Sequence, residues 1–395
     1  MDTQNTPVHV RLWNRDFWLL VLADLLLAIA VYMQMIYVPA WAEEKGADTF
    51  ALTMGGYGIG LFLMGGFCSY LVQKYRRNRV CLQSLIVLAA LMAAPALCSP
   101  FFSMYAKWAF PLLRLATGMF YGLVQMVLSS TLVIDCCEAQ QRTGANYATA
   151  WFYRLALSLG PLAALMVLRY ADVAAAAWTS AGLVGMAFLL IALVRFPFKS
   201  PEETIRRLSL DRFFLPQGWL LFFQLLLANA VLGLVMAVFF GYPPFFAWLM
   251  VGFLMALLAE KFVFVNAELK SEAVCGLMLM GAAVLLMMTR AGNDVLMLVP
   301  VMMGLGSGLI GSRFLLFFIR LSEHCKRGTS QSSFFLAWEA GIAFGMCLGF
   351  ALEGYGGGET AAKDNVLEVA LALLIVALGM YLGVTHSWYL RHRNR

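Results

Sequence analysis

Read for the spacing of apolar and polar positions, the chain falls into twelve long apolar runs, near 17–38, 51–73, 80–99, 108–134, 147–168, 175–196, 218–240, 243–265, 273–290, 294–318, 331–352 and 366–388. A helix crossing the roughly 30 Å hydrocarbon core of a bilayer needs about 20 such residues. The runs are too long and too uniformly apolar for barrel strands, in which lipid-facing and lumen-facing residues alternate. Lipid supplies no hydrogen-bond partner to the backbone, so these runs satisfy it internally as helices. The pattern predicts an all-α polytopic membrane protein with twelve transmembrane helices. The first run has a basic flank at Arg11 and Arg15, is too long for a signal-peptide core and lacks a small-x-small cleavage site, so it reads as a retained span.

Composition removes the alternatives. Of 395 residues, 62% are hydrophobic and 13% charged, against roughly 45–50% and 25% in a soluble domain, which excludes a soluble globule. The formal net charge of +6 carries a topology signal through its placement and does not mark a nucleic-acid partner. With both termini on one side, that side holds Arg11, Arg15, Lys74, Arg76, Arg77, Arg79, Arg142, Arg195, Lys199, Arg206, Arg207, Arg212, Lys261, Lys270, Arg320, Lys326, Arg327, Arg391, Arg393 and Arg395. The opposite loops hold Lys45, Lys107, Arg169, Arg290 and Lys363, a split of 20 against 5. The positive-inside rule puts the N and C termini in the cytoplasm, for a protein of the bacterial cytoplasmic (inner) membrane. The eight cysteines form no CxxC pair; they read as reduced small hydrophobes, with no metal site, no disulfide framework and no cofactor expected.

The longest connection, Pro197 to Pro216, divides the chain into a bundle over 1–196, a linker over 197–217 and a bundle over 218–395. Within it Ser200, Pro201 and Glu203 are an N-cap, a first-turn proline and a capping acid for a short amphipathic helix, ETIRRLSL. The halves also repeat. LLLAIAV at 25–31 matches LLLANAV at 225–231, which places Gln224 opposite Asp24. At an offset of 185, the segment from Glu138 lies on the segment from Glu323, pairing Arg142 with Arg327, Tyr153 with Trp338, Gly160 with Gly345, and Arg154 with Glu339.

Six spans, a linker and six spans resemble the major facilitator superfamily. After the second span, members carry G-x-x-x-D-R-x-G-R-R. Here SYLVQKYRRNR has Ser69 at the first glycine position and Gln73 for the acid, and keeps basic character at Lys74, Arg77 and Arg79. Either Gln73 locks the loop by neutral hydrogen bonds or Asp135 and Glu138 after the fourth span supply the carboxylates, and Arg142 joins this candidate cytoplasmic gating loop; the bland alternative is a positive-inside loop. RLATGMFYG in the fourth span resembles the family's R-x-x-x-G pattern, with Arg114 as the intramembrane cation and Gly118 and Gly122 for close helix approach. GPLAA at 160–164 is a partial form of the exchanger motif. The resemblance implies two six-helix bundles around a central route, with helices 1, 4, 7 and 10 lining it, helices 2, 5, 8 and 11 closing its sides, and alternation between inward-open and outward-open states.

A few polar residues interrupt the runs. Asp24, Arg154 and Glu339 lie at similar depth and Arg313 a little nearer the cytoplasm, so they are candidates for substrate binding or coupling, with Arg114 nearer the external mouth. The carboxylates are proton-carrier candidates; the structural alternative is that Arg154–Glu339 and Arg313–Asp24 are packing or gating pairs. Gln224 and Asn229 join this set, and Tyr32, Gln34, Gln125, Trp151, Tyr153 and Trp338 are candidates for the cavity wall. The glycines of GGYGIG and GLGSGLIG permit close helix packing and do not read as phosphate loops, since the strand, turn and Walker lysine are missing. The function expected is a secondary transporter, acting as a monomer and moving a small organic solute, anionic or zwitterionic, across the membrane, with protons as coupling ion. The alternatives are a proton-antiport exporter of amphiphilic compounds or drugs, and a lipid-handling or receptor protein without turnover. An enzyme is disfavoured because HExxH, GxSxG and histidine clusters are missing.

Overall fold

The computed structural model describes residues 11–41, 47–138, 140–196, 206–265, 267–290, 292–323, 326–355 and 359–393. Among them, eleven helices are long and apolar enough to cross a membrane, and a bent pair makes a twelfth. We number the spans α1 (Arg15–Trp41), α2 (Ala47–Leu63 continued as Gly65–Lys74), α3 (Arg77–Leu97), α4 (Ala106–Val127), α5 (Arg142–Tyr170), α6 (Val173–Ala192), α7 (Trp219–Val238), α8 (Pro243–Phe262), α9 (Leu269–Thr289), α10 (Asn293–Leu321), α11 (Arg327–Tyr355) and α12 (Glu359–Met380). The chain is an all-α polytopic membrane protein.

Local chemistry explains several ends. Asn14 caps α1, its Oδ1 accepting from the Phe17 N–H at 2.9 Å while its Nδ2 donates to the Cys136 carbonyl. Asp172 caps α6 through the Ala175 N–H. Pro243 opens α8, where its missing N–H costs nothing. Three spans depart from the smooth runs expected, α12 among them, which passes through a π-helical turn, Tyr381–Thr385, before His386–His392. The second span bends by 42° at Met64, and α4 passes through a π-helical turn, Leu128–Leu132, before Val133–Asp135.

The repeat is visible in the packing. In the first half α1 packs on α5 and α6, α2 on α4, and α3 on α4 and α6; in the second, α7 packs on α11 and α12, α8 on α10, and α9 on α10 and α12. Small residues set the closest crossings. A Cβ on Gly160 of α5 would lie 2.8 Å from the Ile29 carbonyl of α1, and one on its repeat partner Gly345 of α11 would lie 2.1 Å from the Ala230 carbonyl of α7. Likewise Gly118 of α4 abuts the Tyr57 carbonyl and Gly304 of α10 the Leu249 carbonyl. The glycines of GGYGIG and GLGSGLIG therefore serve packing, as their sequence suggested.

The halves meet chiefly where α2 faces α11 and α5 faces α8. On the side where α1 begins, the connecting segment lies across the first of these seams. The Ser209 N–H donates to the Gly66 carbonyl of α2, and the Leu215 N–H donates to Ser333 Oγ of α11. Asp211 accepts from Ser69 Oγ of α2 at 3.5 Å and from Thr329 Oγ1 of α11 at 3.1 Å. Arg212, at φ 60, sits in the left-handed region, held by its N–H on Thr329 Oγ1. The amphipathic helix expected over ETIRRLSL is not found in its described part: residues 206–210 make no helical turn, and the Ser209 N–H is spent on the Gly66 carbonyl of α2. Ser200, Pro201 and Glu203 lie outside the described residues. On the opposite side, Phe50 of α2, Phe240 and Phe350 of α11 pack ring to ring, with centroids 5.2 to 6.5 Å apart.

The described cysteines are free thiols, and Cys325 lies outside the described residues. Beyond the end of α4, burial pushes the Cys136 thiol up to about 12 and that of Cys137 to about 11, so both stay protonated and inert at neutral pH.

Candidate functional site

Apolar helices crossing at mid-bundle enclose a small set of polar side chains. Asp24 and Arg154 are 0% exposed and Arg114 and Glu339 1%, so the centre is closed to both sides. The four described ion pairs do not include any of these residues. Two pairings anticipated from the sequence, Arg154–Glu339 and Arg313–Asp24, are thus not formed. Repeat-equivalent positions are related across the pseudo-symmetry of the halves, and that relation carries side chains to matching places rather than to one another.

Glu339 of α11 reaches into the first half. Its Oε1 accepts from the Tyr32 hydroxyl of α1 and its Oε2 from the Tyr57 hydroxyl of α2 at 2.8 Å. Arg114 of α4 lies over the Tyr57 ring, 4.2 Å from its centroid, and donates to Gln34 Oε1 at 3.0 Å and to the Val31 carbonyl. Arg114, Tyr57 and Glu339 therefore make a relay in which one aromatic ring separates cation from anion. Tyr121 stacks beside Tyr57 and meets Phe335 of α11.

Asp24 of α1 has one polar neighbour, Gln125 Nε2 of α4 at 2.5 Å, and its Oδ2 lacks a hydrogen-bond partner. A carboxyl in this setting has no cation to offset its charge. Gln224, its repeat counterpart, is not part of the central cluster; it donates to the Ala377 carbonyl of α12 and accepts from Thr385. Asn229 of α7 is buried with a free Nδ2, its Cβ against Gly341 of α11.

Arg154 of α5 reaches the other way, into the second half. Nη1 donates to Ser312 Oγ at 2.8 Å and to the Gly308 carbonyl at 3.2 Å, both on α10, while Nε donates to Ala150 on its own helix. Its guanidinium is 4.5 Å from the Trp151 ring and 5.6 Å from that of Trp338. Tyr153 sits edge-on to Trp338 and Phe335.

Arg313 does not enter this layer. It pairs with Glu272 of α9, an acid one residue before the ninth apolar run. At the linker-side loop, Arg77 pairs with Asp135, beyond the π turn of α4, at 2.5 Å. Lys74 is exposed and donates to Tyr70, Arg79 is exposed, and Arg142 opens α5 half-buried. Glu138 lies just beyond α4. Another seam contact missed by sequence, Tyr147 of α5 with Glu260 of α8, joins the halves on this side. Its signal was a tyrosine and a glutamate near two span ends, which nothing in the sequence pairs. Among the described residues, no cluster of His, Cys, Asp or Glu is placed to hold a metal ion.

A family model described as Major Facilitator Superfamily matches residues 20–346. None of the curated protein sequences compared with the chain matches it. Among solved structures, the human organic anion transporter MFSD10 (TETRAN) superposes with a TM-score of 0.69 at 14% identity, over 93% of this chain and 98% of that one. The nucleoside transporter NupG superposes with a TM-score of 0.67 at 12% identity, over 93% and 99% of the two chains. Likeness at such identity establishes a shared fold.

Proposed function

The chain belongs to the Major Facilitator Superfamily, and on that footing we propose that it moves a small organic solute, anionic or zwitterionic, by alternating access coupled to protons. The bundles over 1–196 and 218–395 are the moving units, joined by the linker over 197–217. The excess of Lys and Arg on the linker side supports a cytoplasmic placement of that side and of both termini, in a bacterial inner membrane.

One observation carries the reading: Glu339 of the second half is held by two tyrosine hydroxyls of the first, deep in a closed polar centre. Any parting of the halves stretches those bonds, so the protonation of Glu339 and the separation of the bundles are physically linked. Asp24, with a single neutral partner, is the second candidate carrier. In the proposed cycle a carboxyl takes up a proton while its cavity is open to one side and gives it up on the other. The relatives in the fold that bear a transport name, for an organic anion and for nucleosides, support a soluble organic solute.

A second reading, export of amphiphilic compounds by proton antiport, draws on a different feature. An apolar recess of about 480 Å³ opens beside Ala340 on the flank of the α2–α11 seam, lined by Ile59, Phe62, Leu226 and Phe344. The experiment that separates the readings is uptake and efflux by purified protein in vesicles, with and without an imposed proton gradient, over metabolites and amphiphilic drugs. Gradient-driven accumulation of a polar organic acid supports the first; accumulation confined to apolar amphiphiles supports the second. Chemical conversion without accumulation points to an enzyme, and saturable binding without accumulation to a receptor.

A further inference from the structure

Hydrogen-bond donors without acceptors are rare in closed protein interiors. Three of them gather at one place in the second layer of the central cluster. Arg154 Nη2, Trp151 Nε1 and Trp338 Nε1 are all buried without a partner, and both indoles face the same guanidinium. The opposite imbalance holds at Asp24, where the orphan is an acceptor. A cluster rich in unsatisfied donors fits a ligand that brings oxygens and negative charge.

We propose that Arg154, flanked by Trp151 and Trp338, forms the subsite that receives the anionic group of the transported solute, a carboxylate, sulfonate or phosphonate on an aromatic or apolar body. The assignment rests on the transporter reading and sharpens it. The guanidinium's Nη1 bonds go to Gly308 and Ser312 of the other half, so a separation of the halves removes them and leaves more donors without acceptors. The guanidinium fork then presents two parallel N–H groups, the geometry that a carboxylate accepts in bidentate fashion. The two indole faces supply apolar, electron-rich walls. α10 is shaped for this cluster: a Cβ on Gly311 would lie 2.7 Å from the Trp338 ring and 3.1 Å from Arg154 Nη1.

Arg114 is the less suitable cation. Its Nε and the Gln34 Nε2 beside it are also buried without a partner, but its Nη1 is held by Gln34 and the Val31 carbonyl and it lies over the Tyr57 ring, and Tyr57 is bonded to Glu339, so an anion there meets a carboxylate one ring away. Beside Arg154, Glu260 accepts from Tyr147 and bonds Ser312, the hydroxyl that also takes Arg154 Nη1, and Arg313 faces the same carboxylate.

The test uses the full chain in lipid nanodiscs and matched probes: benzoate against benzamide, benzenesulfonate against benzenesulfonamide, phenylphosphonate, and benzylammonium as the cation. At least one anion should bind about tenfold or more tightly than its amide, the effect of one charge-assisted hydrogen bond. Arg154→Gln should erase that preference by weakening the anion far more than the amide, and Arg154→Lys should restore part of it. Should Arg154→Gln fail to fold by thermal melt, Arg154→Lys and Trp338→Phe carry the test, each lowering the preference. A wild-type protein that favours no anion over its amide overturns the subsite, as does a folded Arg154 variant with full anion preference. If vesicles accumulate neutral or cationic solutes while these results hold, the subsite fails and the transporter reading stands. Failure of every solute to accumulate removes the transporter reading itself.

Discussion

At the scale of single residues, Glu339 concentrates what a coupled transporter needs. Replacing it with Gln removes the charge but keeps one acceptor for a tyrosine hydroxyl, so folding should change by about 1–2 kcal/mol at most. Under the proposed coupling, Glu339→Gln should lose gradient-driven accumulation and its pH dependence while retaining solute exchange at equal pH; unchanged accumulation across an imposed pH step removes Glu339 from the coupling role. Pairing is testable by double-mutant cycles on thermal stability. Arg77 and Asp135, in contact at 2.5 Å, should couple by about 0.5–1 kcal/mol, whereas Arg154 and Glu339 should be additive within about 0.5 kcal/mol. Equal coupling in both cycles contradicts this arrangement. The contrast shows how far the sequence could be read. That Asp24, Arg114, Arg154 and Glu339 lie in the interior followed from the cost of charge in lipid, and all four are buried. Their partners did not follow, because Glu339 is satisfied by neutral tyrosines and Arg154 by a carbonyl and a hydroxyl. Tyr57 and Tyr121 were hidden inside motifs read for their glycines, and a tyrosine in a span is too common to stand out.

Elements make the repeat physical. Gly160 and Gly345 hold equivalent crossings, α5 on α1 and α11 on α7, with backbone oxygens where a Cβ would go. Gly345→Val should therefore force α11 off α7 and destabilise the protein by several kcal/mol, since the obstacle is backbone and cannot rotate away, in the range of about 1–3 kcal/mol or more for overpacking. Gly182 of α6 and Gly379 of α12 meet nothing within 4 Å. There Gly→Ala should leave stability unchanged or raise it by up to about 1 kcal/mol through helix propensity. Melting curves of the purified variants distinguish the two classes, and a neutral Gly345→Val is incompatible with this crossing. The alternation of apolar and small residues foretold where helices approach; the 42° bend at Met64 and the π turn of α4 were not foretold, since neither proline nor a break in hydropathy marks them.

For the whole molecule, the two ends of the α2–α11 seam are closed by different chemistry, and this asymmetry has a measurable consequence. On the linker side Asp211 bonds Ser69 of one half and Thr329 of the other, and Arg212 is kept in a left-handed conformation by the same threonine. A non-glycine residue there stores roughly 1–3 kcal/mol, so this end is a latch under mild tension. On the opposite side three phenylalanine rings pack across the seam. If the halves rock as proposed, weakening one end should favour opening at that end. In a cysteine-depleted background, Ser332→Cys on α11, buried near the latch, reports access from the linker side through a membrane-impermeant maleimide. Asp211→Ala should raise its labelling rate several-fold, because a shift of about 1 kcal/mol in the open–closed balance changes the open fraction about fivefold. Phe50→Ala should leave that rate unchanged or lower it, since loosening the far end draws the ensemble toward the state in which the latch is shut. Labelling that rises equally in both variants would mean general loosening of the bundle, and the proposal of two alternating gates would then fail.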